Sequence, residues 1–271
     1  MKGLKLAGAL ACAASLCSAA PALAATEVVT EATVTRQVEN TPPTDNWVLY
    51  TRAGTPATAG AFEFGPAGSL SAGSFATRTA TGAEKVFLFN YDHVGTPLGD
   101  IDDLSYDTYR VAGNLQQAPA LNLQIDYNGA APGGFSTLVF EPVYNTDQGT
   151  VTSGVWQSWN GKAGTWWSTQ PINGQCAGAT AACDKTWAEI VANNPDAVIG
   201  GGVGINQGSG NPSLDARTDA FAFDETLYDF EPVISPATKD DCKNGGWQQS
   251  NTPVFKNQGD CVSSFAPGKN K

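Results

Sequence analysis

Histidine occurs once in this chain, at His93, and no two cysteines stand at CxxC spacing. Those absences exclude the usual zinc ligand sets, which cluster cysteine and histidine, and they leave little for histidine-based catalysis. No GxSxG, HExxH, P-loop or dinucleotide-binding fingerprint is present either. Positive charge is scarce: 15 Lys and Arg stand against 26 Asp and Glu, a net charge of −11. That balance argues against nucleic acid and anionic membrane as partners, since both select basic surfaces. No apolar run is long enough to span a bilayer, so membrane insertion is not expected.

What is present begins with a leader. In MKGLKLAGALACAASLCSAAPALAA, Lys2 and Lys5 give a positive start, residues 6–16 are apolar, and Ala22-Leu23-Ala24 is a small-x-small cleavage site. This reads as a secretory signal peptide over 1–24, and the chain is expected to be secreted or periplasmic. Cys12 and Cys17 leave with it. The remaining four, Cys176, Cys183, Cys242 and Cys261, are an even set in an exported chain, which implies disulfides. Of three connectivities, Cys176–Cys183 with Cys242–Cys261 is expected, because each pair encloses a short loop.

The body reads as short strands separated by Gly, Asn and Asp clusters. Residues 25–45 lack a sustained apolar pattern and read as a flexible lead or an edge strand. Residues 85–91 (KVFLFNY) are β-rich, and 120–127 (ALNLQIDY) alternate cleanly, with Leu121, Leu123, Ile125 and Tyr127 on one face. Residues 136–144 (STLVFEPVY) are expected to return as the partner of that strand, and strand signals resume at 197–205 and 219–231. One helix is expected in DKTWAEIVANNP, where Thr186 and Glu189 have capping-box spacing and Trp187 faces the core. With 30 glycines and one helix, the fold class is all-β: an antiparallel β-sandwich over 46–235. Residues 236–271 form a small disulfide-stapled module that cannot build a sizeable core alone.

Chemistry concentrates at 155–168, VWQSWNGKAGTWWS, which holds four of the seven tryptophans. Trp156 and Trp159 on one strand, and adjacent Trp166 and Trp167 on a returning strand, must point to opposite faces. One indole of each strand can complete the core; the other is left outside. Exposed indoles suit sugars, whose C–H faces pack on the ring while Gln157 and Asn160 bind hydroxyls. The same rings equally pack under loops. Base stacking wants basic flanks, and only Lys162 is near.

Three further constellations are weaker. Asp100, Asp102, Asp103 and Asp107 in GDIDDLSYD offer carboxylates for a structural calcium, or simply a solvated acidic turn. No other cofactor is required. FEPV occurs at 140–143 and 230–233, so Glu141 and Glu231 could act as acid and nucleophile on a glycoside if the fold brings them together. Tyr91 and His93, with Arg110, could abstract a proton from a uronic acid, although a lone histidine at a strand end is more often a turn residue.

The stretch GGGVGINQGSG (200–210) followed by DAFAFDETLYDFE (219–231) resembles the closing strands of secreted concanavalin A-like, jelly-roll proteins. The tail DCKNGGWQQS…FKNQGDCV (241–262) resembles a C-terminal motif of secreted bacterial proteins of uncharacterised function. The resemblance implies an exported β-sandwich and brings no catalytic residues; the Glu-x-Asp-x-x-Glu pattern of jelly-roll glucanases is absent. The expected function is a non-catalytic binding protein for an extracellular or cell-surface glycan. The alternatives are a polysaccharide-cleaving enzyme on the same scaffold and a structural envelope or matrix component.

Overall fold

A computed structural model describes residues 25–114, 116–129, 132–208 and 210–266. The expected leader, 1–24, lies outside them. The first strands in chain order are β1 (Ala25–Val29), β2 (Val34–Val38), β3 (Trp47–Thr51), β4 (Gly60–Phe64), β5 (Gly73–Thr79), β6 (Val86–Asn90), β7 (Leu104–Ala112) and β8 (Ala120–Asp126). They are followed by β9 (Phe135–Phe140), β10 (Trp156–Asn160), β11 (Thr165–Ser168), β12 (Lys185–Thr186), β13 (Val198–Gln207), β14 (Leu214–Phe223) and β15 (Thr226–Phe230). Three short helices accompany them: α1 (Trp187–Asn193), α2 (Gly246–Gln249) and α3 (Gln258–Ser264). The all-β sandwich expectation holds, with more helix than the single one foreseen.

The strands form two sheets. One has eight strands in the order β12-β11-β9-β8-β13-β6-β3-β2; the other has seven, built on β1-β15-β14-β5-β4 with β7 also on β14 and β10 on β7. The purely antiparallel expectation is corrected at two places. β1 pairs β15 in parallel, and β2 pairs β3 in parallel. Residues 25–45 are therefore not an unpaired lead: they add a strand to each sheet.

The core lies between the sheets, and alternation decides which residues enter it. Leu121, Leu123 and Ile125 of β8 face inward, as do Leu138 and Phe140 of β9, and these two strands pair as expected. Phe75, Phe221, Phe223 and Phe230 fill the space from the seven-stranded side. Strand β6 does not alternate in burial: all five of its residues are buried. Val86 and Leu88 join the core, whereas Phe87 and Phe89 form a second cluster with Val48 and Tyr50 on the outer face. Parallel strands need a connection that runs back along the sheet, and here its residues 39–42 stand beside that outer cluster. Residues 39–46, between β2 and β3, make that return, and Gln37 and Thr35 hold it through Thr44 and Asp45.

Both disulfides form as expected, Cys176–Cys183 and Cys242–Cys261. Helix α1 carries the full capping box between Thr186 and Glu189 and buries Trp187. The tail gathers Cys242, Phe255 and Cys261 into its own small cluster, with Trp247, Val262 and Phe265 packed on it. Asn251 and Ser250 bind it to the sandwich at Pro232 and Ile234. No helix among the described residues is long and apolar enough to cross a membrane.

Candidate functional site

The four clustered tryptophans do split between inside and outside, but the two strands do not form a hairpin. β10 pairs β7 in the seven-stranded sheet, and β11 pairs β9 and β12 in the eight-stranded one. The segment NGKAG is thus a crossover between sheets. Its tightness needs glycine: a Cβ at Gly164 would lie 2.3 Å from the Phe140 ring. Trp159 and Trp166 enter the core, their indole N–H groups donating to Thr108 and to the Gly161 carbonyl at 2.8 Å each.

The outward indoles, Trp156 and Trp167, therefore belong to opposite sheets and cannot share one ligand platform. Trp156 is already occupied. It packs on Tyr109, with ring centroids 5.5 Å apart, and donates to the Pro66 carbonyl. Gln157 and Asn160 are also in use: Gln157 clamps Thr150 and Thr152, and the Asn160 carboxamide accepts from Ala163. Of the six residues expected to bind ligand, Trp167 lines the cavity described below.

The other constellations do not assemble either. Asp100, Asp102 and Asp103 stay exposed, and no group of three metal-ligating side chains exists among the described residues. The loop they sit on is held by other means: the Asp224 carboxylate accepts from the Asp102 N–H at 2.6 Å, and Lys162 donates to the Ile101 carbonyl. Asp107 lies on β7 opposite Ser158. Glu141 and Glu231 follow strands of different sheets and hold different partners, Glu141 the Trp167 indole and Glu231 the N–H groups of Ala72 and Gly73. The Tyr91 hydroxyl bonds that of Tyr50 at 3.0 Å, while the His93 imidazole bonds the Tyr228 hydroxyl and stacks 3.8 Å from Phe223. Burial lowers the His93 pKa, favouring the neutral ring. Arg110 is buried and committed to Ser153 and the Asn114 carbonyl.

What the structure does build is a cavity of about 480 Å³ on the outer face of the eight-stranded sheet. β11 and β9 supply Trp167 and Val139, which pair directly, and the chain after β9 adds Glu141, Pro142, Val143 and Tyr144. The opposite wall is amide-rich, with Asn114, Gln116, Gln117, Asn206 and Asn211, and Lys85 at one end. Glu141 is the one acid among the described residues lining it. Its carboxylate accepts from the Trp167 indole N–H at 3.1 Å, and burial, reinforced by the charge of Asp184, raises its pKa. The side chain of Glu141 thus fixes the orientation of the indole. The amides carry no motif in the sequence: Asn114, Gln116 and Gln117 fall in NLQQ at 114–117, and Asn206 and Asn211 bound the stretch NQGSGN at 206–211.

A second cluster sits on the seven-stranded sheet. Asp219, Asp229 and Glu231 are buried and hold residues 70–73. Asp219 accepts from the Leu70 N–H at 2.7 Å, Asp229 from the Ser71 hydroxyl at 2.6 Å, and Glu231 from the N–H groups of Ala72 and Gly73 at 2.8 and 2.6 Å. Burial pushes the Asp219 pKa up to about 6 and raises that of Glu231, with the neighbouring Asp229 acting in the same direction on both. This is a clasp for a loop, with every contact directed inward. No protein-family model, curated protein or solved structure matches the chain.

Proposed function

We propose that this chain is an exported carbohydrate-binding protein whose site is the Trp167 cavity and which acts without chemistry. The observation that carries the reading is the combination of one oriented, partly exposed indole with five amide side chains around a single cavity. An indole face suits the C–H face of a pyranose, and amides offer both donors and acceptors to hydroxyls. A concave site with an aromatic side chain and convergent polar groups is a common form of a small-molecule site. Two disulfides fit an oxidising compartment. The lone carboxyl of Glu141 supports binding over hydrolysis, which uses two carboxyls about 5–10 Å apart across the scissile bond.

The test is a titration of the protein with soluble neutral polysaccharides, read by tryptophan fluorescence and by assay of new reducing ends. Saturable binding without products is expected. Trp167→Ala should weaken it by about 2 kcal/mol, roughly thirtyfold, while Trp156→Ala leaves it unchanged. New reducing ends that disappear in Glu141→Gln would move the assignment to a glycan-cleaving enzyme.

A further inference from the structure

A second cavity, of about 230 Å³, lies on the same sheet face. Tyr50, Phe87, Phe89, Tyr91 and Gln124 form its floor, and residues 39–42 of the β2–β3 connection form its wall. Strand register shows how the two cavities meet. Asn206, in the first, pairs directly with Phe87, in the second. Lys85, from the rim of the first, sets its ammonium 4.1 Å above the Phe87 ring and 3.4 Å from the Glu39 carboxylate. The two cavities are thus neighbours along one face, divided by Lys85, which shares the Glu39 carboxylate with Arg52.

The strip between them is built for hydrogen bonding. Asn122 pairs with both Val139 and Gly204, which places it between the cavities. It is only 5 % exposed, and its Oδ1 accepts no hydrogen bond; Oδ1 of Asn206 is likewise unpaired. An unmade bond at a buried acceptor is unfavourable, and a hydroxyl donor brought over the strip relieves it as these amides turn to meet it. β13 presents little side chain here. Gly202 has no room for one, since a Cβ would come 2.8 Å from Phe89, and Gln124 accepts its N–H at 2.8 Å.

From these observations we infer that the ligand is a neutral polysaccharide chain lying across the strands, from Trp167 to Tyr50 and Tyr91, rather than a single sugar. The inference rests on the carbohydrate-binding reading above. From β11 to β3 there are five strand steps, which at ~4.8 Å each is about 24 Å, far longer than one pyranose. Aromatic side chains stand at both ends and amides stand between them. The ionic groups along the way are Glu141, held high in pKa, and Lys85, which shares Glu39 with Arg52. They offer no run of like charge to a polyelectrolyte, whereas the amides between the aromatic ends offer partners to a chain of hydroxyls.

The decisive experiment measures affinity for gluco-, manno- and xylo-oligosaccharides from disaccharide to hexasaccharide. Affinity for the preferred series is expected to rise about tenfold or more with length. Tyr91→Ala should remove that gain while leaving disaccharide binding intact, and Trp167→Ala should weaken every length. Asn122→Ala, checked for an unchanged melting temperature, should act as Tyr91→Ala does. Binding that is independent of length, or a length gain that survives Tyr91→Ala, overturns the extended groove but leaves the Trp167 site standing. Failure of every oligosaccharide to bind overturns both.

Discussion

At the residue scale, four tryptophans within twelve positions have three different environments. Trp159 and Trp166 are core side chains with satisfied N–H groups. Their replacement by alanine should cost about 3–5 kcal/mol each in urea denaturation. Trp156 is half-buried against Tyr109 and the 65–73 loop, so Trp156→Ala should cost less and loosen that loop locally. Trp167→Ala should cost least in stability while weakening binding roughly thirtyfold. The alternation of indoles was legible, because adjacent residues of a strand must diverge. Their partition between sheets was not, since nothing local distinguishes a five-residue hairpin loop from a five-residue crossover.

The buried acids make a pH prediction at the same scale. Asp219 has a folded pKa near 6 against 3.8 for an ordinary aspartate, and the values of Glu231 and Asp107 are also raised by burial. The folded state therefore binds protons that the unfolded chain has already released. The stability these groups contribute is fully present below about pH 4, is lost as pH rises through 6 and reaches its lower plateau above that. For Asp219 the full effect is on the order of 3 kcal/mol, read from urea denaturation as the difference in unfolding free energy between pH 3 and pH 7. Glu231→Gln should flatten part of this dependence and stabilise the protein at pH 7. Its remaining oxygen still accepts from Ala72 and Gly73, and its amide can donate to Asp229, whose Oδ1 is otherwise unpaired. A lower midpoint for Glu231→Gln at pH 7 would show that the carboxylate charge itself holds the loop.

At the scale of elements, the tail module behaves as an appendage. Its cluster of Cys242, Phe255 and Cys261 is separate from the main core, and its bonds to the sandwich run through Pro232 and Ile234. Replacing Cys242 and Cys261 by serine removes a cross-link worth about 3 kcal/mol for a loop of this size. Hydrogen exchange in 236–266 should accelerate strongly in that variant, while the sandwich keeps its melting temperature. A large drop in that temperature would mean that the tail supports the sandwich. Cysteine spacing made both staples legible, and the capping box made α1 legible, because each depends on residues close in sequence. The cavity was hidden for the opposite reason. Trp167, Asn114 and Asn206 come from three distant segments, and only the order of strands in the sheet brings them to one face.

The whole molecule is closed by its least conspicuous segment. Residues 25–38 carry no periodic apolar signal, yet β1 pairs with β15, about two hundred positions away, and β2 completes the eight-stranded sheet. Parallel pairing of this kind leaves little local trace, because its register is set by distant backbone groups rather than by a turn. Its consequence is nevertheless specific. Val29 is fully buried in the core, and Arg36 of β2 donates to the carbonyls of Ala57 and Gly60 at the start of β4, tying the edges of the two sheets. Deleting 25–38 would expose the backbone edges of β15 and β3 together and open the core beneath Val29. Exposed, unprotected edges recruit other strands. The truncated chain should therefore elute as oligomers or aggregate in size-exclusion chromatography under conditions where the chain that retains 25–38 does not. A truncated chain with an unchanged elution profile and an unaltered melting temperature would mean that neither strand contributes to closing the sandwich.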